Sequence, residues 1–195
     1  MKCALCVNKK CYNEGKVCTE TKDAALDQYQ GEKKQALCVS SRLEALYYMK
    51  LTRIEEVIQY ASEMNYQKIG IAFCTGLSKE AKIIHKIFEK KFEVVSVCCK
   101  NGSISKDLFQ LPKVKEGREE AICNPIGQAL ELNRAKTDLN LIIGLCVGHD
   151  ILFTQHSAAP VTTLIVKDRV LAHNPAGAIY SNYYLKKKFN IDIDE

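Results

Sequence analysis

Between Lys68 and Lys167 short apolar runs alternate with amphipathic stretches of helix length, and this alternation narrows the fold more than any other feature of the chain. Residues 68–74 read as a strand, 77–90 as an amphipathic helix and 92–99 as a second strand, which together make a βαβ unit. Asn124 before Pro125 is a helix start, an N-cap side chain followed by the residue whose missing N–H costs nothing there, and the helix extends to about Ala135. Residues 139–147 are apolar except for Asn140, as suits a parallel strand covered on both faces, and Gly148 breaks the run. A helix over 149–156, a strand over 161–167, a turn at Asp168 and Arg169, a brief strand over 170–172 and a last helix over 176–187 complete the pattern. Upstream, 35–49 has helical spacing that turns Leu37, Leu43, Leu46 and Tyr47 inward, and Thr52-x-x-Glu55 is a capping box opening a helix over 53–64. The expected fold is α/β: a three-layer, open, mostly parallel sheet with helices on both faces.

A different logic governs the amino terminus. Of ten cysteines, Cys3, Cys6, Cys11 and Cys18 fall in the first eighteen residues, on polar ground that includes Asn8, Lys9, Lys10, Asn13, Glu14 and Gly15. So short a segment builds no core, and a Zn²⁺ ion or an iron-sulfur cluster replaces the missing apolar burial by metal-thiolate bonding. The spacing C-x2-C-x4-C-x6-C does not separate the two metals. Disulfides belong to oxidising compartments, and no apolar signal segment opens the sequence, so the expected location is cytoplasmic. The organisation expected is a cysteine-rich metal-binding module over 1–20 and an α/β domain over 21–195.

Composition removes several function classes. The longest apolar run, 139–147, is far short of the roughly 20 residues of a membrane helix, so no membrane role is expected. The formal charge of +5 shrinks once thiolates around a metal are counted, with Lys9, Lys10 and Lys16 as their counterions, so nucleic acid is not an expected partner. Neither G-x-x-x-x-G-K nor G-x-G-x-x-G is present, which leaves no nucleotide-phosphate loop and no dinucleotide fingerprint.

The predicted topology gives the other cysteines a common place. Cys74, Cys98, Cys99 and Cys146 fall at the carboxyl ends of strands, and Cys123 falls at a helix start on the same edge. Open α/β sheets bind ligands at that edge, and the helix start favours a thiolate at Cys123. Cys99, Cys123 and Cys146 are the first choice of rim ligands for an iron-sulfur cluster or zinc, with Cys74, Cys98 and His149 as additional donors. The alternative is a nucleophilic thiolate from Cys98 or Cys99 with Cys123 as its resolving partner, acting on a small-molecule or sulfur-containing substrate. Adjacent strand residues point to opposite sides, so only one of Cys98 and Cys99 faces a given site. His156 and Ser157 suggest a loop rather than a catalytic pair, and His85 an exposed helix position. His173 goes to the opposite edge if strand 161–167 is parallel, and to the rim if it is antiparallel.

The runs 69–77, 96–100, 123–125, 144–150 and 167–175 together resemble an uncharacterised prokaryotic family labelled a predicted metal-binding protein with a domain of unknown function. The resemblance spans nearly the whole chain. It implies an amino-terminal metal site to which Cys3, Cys6 and Cys11 belong; the fourth cysteine comes later in that family than Cys18 does here, which leaves Cys38 as an alternative fourth ligand. Two function classes stay open: a metal-binding protein with redox or sulfur-transfer chemistry at the rim, and a non-enzymatic, zinc-stabilised docking or small-ligand-binding protein.

Overall fold

The first thirty residues of the computed structural model, which describes residues 1–192, bury no side chain. They hold a 3-10 turn at Cys3–Leu5 and two short helices, α1 (Lys10–Asn13) and α2 (Lys22–Gln28). The longer α3 (Gly31–Tyr47) follows. It buries Val39 and Leu43, one helical turn apart, and leaves Leu37 and Leu46 exposed, so its apolar stripe is narrower than the spacing suggests. Cys38, the alternative fourth ligand, lies beside that stripe and is exposed. These residues belong to one compact unit, Met1–Lys50; a second begins at Leu51.

The second unit opens with the expected cap. Thr52 Oγ1 accepts the Glu55 N–H at 3.4 Å and Glu55 Oε2 accepts the Thr52 N–H at 2.8 Å, starting α4 (Arg53–Glu63). The Thr52 N–H and hydroxyl, both donating to Glu55 Oε2, hold that carboxyl below the usual carboxylate range. β1 (Lys68–Phe73), α5 (Ser78–Phe88), β2 (Glu93–Cys98), α6 (Pro125–Ala135), β3 (Leu139–Ile143), α7 (His149–His156), β4 (Val161–Ile165) and α8 (Ala176–Ile179) follow in order. The four strands lie in the order β2-β1-β3-β4 and all pair in parallel, with Phe73 opposite Cys98 and Ile143 at the rim end. Right-handed crossovers put α5 on one face and α6 and α7 on the other, because the chain moves one way from β1 to β2 and the opposite way thereafter. Phe88, Phe153, Ile69, Ile71, Leu132, Leu141 and Ile143 are the large, fully buried side chains between these layers.

Two polar positions inside the sheet are explained by packing. Asn140, the lone amide in the apolar run, is fully buried; its Oδ1 accepts the Thr137 hydroxyl at 2.7 Å and its Nδ2 donates to Ser157 Oγ at 2.8 Å. A Cβ on Gly70 in the neighbouring strand would overlap Asn140 Oδ1, so glycine makes room for that buried network.

The carboxyl-terminal third differs from expectation. β3 stops at Ile143, short of Gly148, because Gly144 takes φ +61° and Leu77 fills the space a side chain there would need. β4 is parallel, and residues 170–172 turn instead of forming a strand. Asp168 closes that turn: its Oδ1 accepts the N–H groups of Val170 and Leu171, and its carbonyl accepts the His173 N–H at 2.9 Å. His173 therefore stays beside Asp168 just past β4, and is not carried to the opposite edge. The expected helix over 176–187 divides into α8 and a separate wide turn, Tyr184–Lys188.

Candidate functional site

The carboxyl ends of β1 and β2 and the start of α6 meet at Cys99. Its N–H donates to the Phe73 carbonyl at 2.8 Å and its carbonyl accepts the Asn124 N–H at 2.7 Å, so the residue is pinned to both neighbours. Asn101 Nδ2 reaches the carbonyls of Cys98 and Asn124, each at 3.0 Å, while Asn124 Oδ1 caps α6 by accepting the Gly127 N–H at 2.9 Å. Gln128, fully buried one turn into α6, donates to the carbonyls of Val97 at 2.7 Å and Phe73 at 3.2 Å. This lattice fixes Cys123, two residues before α6, against Cys99.

The two sulfurs lie 3.8 Å apart, with the Cys123 thiol donating to Cys99 Sγ. Thr75, just past β1, brings its N–H to 3.4 Å and its hydroxyl to 3.3 Å of the same sulfur. The Cys123 hydrogen bond, then the two from Thr75, then the charge of Lys100, outweigh burial and bring Cys99 down from near 9 to about 4. The shared hydrogen bond and burial push Cys123 the other way. In physical terms the pair holds one proton and one negative charge from a pH near 4 through the ordinary thiol range. Cys99 is 1% exposed, whereas Cys123 is only half-buried.

Cations face the remaining rim thiols. Lys167 Nζ lies 3.4 Å from Cys74 Sγ, with Gly76 leaving the ammonium room, and the Arg169 guanidinium donates to Cys146 Sγ at 3.0 Å. Both cations leave the end of β4. Cys98 accepts the Lys100 N–H at 3.4 Å, and burial raises its pKa, so Cys99 rather than Cys98 is the member of that pair engaged with Cys123. His149 opens α7 half-buried, and among the described residues its ring makes no hydrogen bond to a rim sulfur. His156 Nδ1 is bonded to the Leu152 carbonyl, Ser157 Oγ donates to the Ala159 carbonyl, and His85 lies beside Glu89. None of these three is arranged as a catalytic base. A hollow of about 350 Å³ between α5 and β2, lined by Phe73, Ala81, His85 and Ser96 among others, contains no thiol.

At the other end of the chain Cys3, Cys6, Cys11 and Cys18 are all exposed. Cys6 Sγ is 3.7 Å from Asn8 Oδ1 and Cys18 Sγ is 3.4 Å from the Lys16 carbonyl. Among the described residues no three His, Cys, Asp or Glu side chains stand close enough together to hold one metal ion as they are placed. No helix of the described residues is long and apolar enough to cross a membrane.

Residues 13–164, from α1 through β4, match the model of a family described as "Protein of unknown function (DUF1847)". The chain belongs to the DUF1847 family. An uncharacterised protein of Methanocaldococcus jannaschii, MJ0455, is 56% identical over 189 residues, covering 96% of this chain and 97% of its own. No solved structure matches the chain. Within this DUF1847 chain the elements that place Cys74, Cys99 and Cys123 lie inside the matched stretch, whereas Cys3, Cys6 and Cys11 precede it. Thr75, Lys167 and Arg169 are the site residues that sequence reasoning missed. Their signal was present in the runs Cys74-Thr75-Gly76 and Lys167-Asp168-Arg169, at the ends of two strands that prove to share the rim with the thiols.

Proposed function

We propose that this DUF1847 chain is a thiol-based redox or sulfur-handling protein whose working pair is Cys123 and Cys99 at the carboxyl edge of the sheet. The observation that supports the reading is the 3.8 Å approach of the two sulfurs, with Thr75 setting two further donors on the inner one. Cys99 is 1% exposed, so contact with a substrate falls to the outer thiol, Cys123. As Cys123 Sγ attacks one sulfur of a substrate disulfide, its proton passes to Cys99 and on to the departing thiolate; Cys99 then attacks Cys123, displacing the second substrate thiolate and leaving an internal disulfide. Burial thus exchanges the roles of nucleophile and resolving thiol that the sequence alone suggests.

A second reading, a soft metal at the rim, is favoured by the same distance. Thiolates at about 2.3 Å from a tetrahedral ion stand roughly 3.8 Å from one another, so Cys99 and Cys123 fit two positions of such a site. Cys146 and Cys74 would complete the donor set once Arg169 and Lys167 moved aside, and zinc or an iron-sulfur cluster would supply Lewis-acid or redox chemistry there. The amino-terminal thiols carry a separate part of the proposal. Cys3, Cys6, Cys11 and Cys18 form a soft-donor set on a segment with no buried side chain, which suits a structural zinc ion or cluster.

The test is anaerobic purification with a visible spectrum and metal analysis, then oxidation by the neutral disulfide 2,2′-dithiodipyridine and peptide mass spectrometry. The expected products are a Cys99–Cys123 disulfide in the wild type and a mixed disulfide stranded on Cys123 in Cys99→Ser. Absence of any Cys99–Cys123 bond would overturn the redox reading. An iron-and-sulfide chromophore lost in both Cys99→Ser and Cys123→Ser would establish the metal reading in its place.

A further inference from the structure

Cations stand beside the rim thiols, and among the described residues no carboxylate forms an ion pair with them. Lys167 and Arg169 face Cys74 and Cys146 from the end of β4, and Lys100, whose Nζ donates to the Ala121 carbonyl at 2.6 Å, adds its charge beside Cys99 and Cys123. Among the described residues none of the three is ion-paired with a carboxylate. Asp168, the acidic residue between two of them, spends its carboxylate on the N–H groups of Val170 and Leu171. Elsewhere on the protein Lys68 pairs with Glu93, Lys106 with Glu120 and Lys113 with Asp107. The positions are also built. Gly76 is the residue beneath Lys167, where a Cβ would come within 3.2 Å of Nζ, and the Arg169 guanidinium is held on Cys146 Sγ at 3.0 Å. The strand order reverses between β1 and β3, and Cys74 and Cys146 flank the crevice outside those strands where ligands of open α/β sheets bind.

We propose that the rim binds a small disulfide bearing negative charge, such as a carboxylate-substituted one, with Lys167 and Arg169 holding the anionic groups while Cys123 meets the sulfur. The inference rests on the redox reading above. A low-molecular-weight disulfide reaches the half-buried outer thiol, Cys123, while Cys99 stays 1% exposed behind it. The sign follows from Lys167 and Arg169, which among the described residues have no carboxylate ion pair, and a guanidinium offers two parallel donors to a carboxylate. The exchange balances. Cys123 Sγ bonds one substrate sulfur, the substrate S–S bond breaks and the first half leaves as a thiolate that takes the proton; Cys99 Sγ then displaces the second half from Cys123. Two electrons pass to the substrate, the first half leaving as a thiol with the pair's one proton and the second as a thiolate, and the protein is left with a Cys99–Cys123 disulfide that a dithiol reductant reduces.

Two disulfide probes of opposite character test this: 5,5′-dithiobis(2-nitrobenzoate), a dianion, and neutral 2,2′-dithiodipyridine. The rate at which each produces the Cys99–Cys123 disulfide is followed by peptide mass spectrometry in the wild type, Lys167→Gln, Arg169→Gln and the charge-retaining Lys167→Arg and Arg169→Lys. The expected result is a drop of about ten-fold with the dianion in each glutamine variant, less than about two-fold with the neutral probe, and recovery of most of the dianion rate when charge is kept. Equal responses to the two probes, or none, would overturn the anionic substrate while leaving the redox pair intact. Failure of the neutral probe to yield the disulfide in the wild type would instead bring down the pair itself. A variant that merely misfolds slows both probes, and the charge-retaining variant at that position then decides the matter.

Discussion

Cys99 and Cys123 share one proton across 3.8 Å, and that single fact sets how the site answers to pH. Folded, the pair gives up its first proton at low pH because Cys123 and Thr75 bond the Cys99 thiolate, and it keeps its second because the same bond holds Cys123 protonated. Unfolded, both thiols titrate near 9. Between about 4 and 9 the unfolded pair therefore binds two protons and the folded pair one, so the contribution to stability grows as pH rises through this window and is lost as pH falls toward 4. Above 9 the sign reverses, because the unfolded thiols ionise while Cys123 does not. Urea midpoints of the wild type minus those of Cys99→Ala should widen steadily from pH 5 to pH 8; a flat difference would show that the proton is not shared. Little of this is readable residue by residue. Cys98 and Cys99 are equivalent letters in the sequence, and only the hydrogen bonds from Cys123 and Thr75 tell them apart.

Among the elements, α6 does the positioning. Its cap is legible locally, since Asn124 before Pro125 states both the start of the helix and the acceptor for its free N–H. The same Asn124 also meets Asn101, donating to its carbonyl at 3.3 Å and its side-chain oxygen at 3.2 Å, and through its own N–H holds the Cys99 carbonyl. Asn124→Ala should cost about 1 to 2 kcal/mol in urea unfolding and, by freeing Cys123, slow Cys99–Cys123 disulfide formation several-fold. Thr52→Ala removes an equally good cap from α4 and should cost about 1 kcal/mol with no change in that rate. Equal effects of the two on the disulfide rate would mean that α6 contributes stability alone. Strand ends were less legible. The apolar run beyond Leu139 continues past the true end of β3 because Leu145 is buried without being in the strand, and only the φ of +61° at Gly144 marks the break.

At the scale of the whole molecule two means of ordering a chain are present. From Leu51 onward a packed core of Ile69, Ile71, Leu132, Leu141, Ile143 and Phe153 holds the sheet and helices by apolar burial. The first thirty residues bury nothing, and Leu5, Val7 and Tyr12 stand 75%, 97% and 87% exposed. Chelation, or Cys3→Ser with Cys6→Ser, should therefore open 1–30 to limited proteolysis while the thermal transition of the α/β unit moves by less than about 2 °C. Protection of 1–30 unaffected by either treatment would count against metal there. What the sequence by itself determined is what adjacent residues decide among themselves: the helical and strand periods, the caps at Thr52 and Asn124, and the polar thiol-rich segment that no core could hold. Tertiary structure alone decided the order β2-β1-β3-β4, the parallel β4, and the meeting of Cys99 with Cys123 and of Cys74 with Lys167. Those partners are 24 and 93 positions apart, and no local preference encodes a contact that exists only once crossovers have brought four strand ends to one rim.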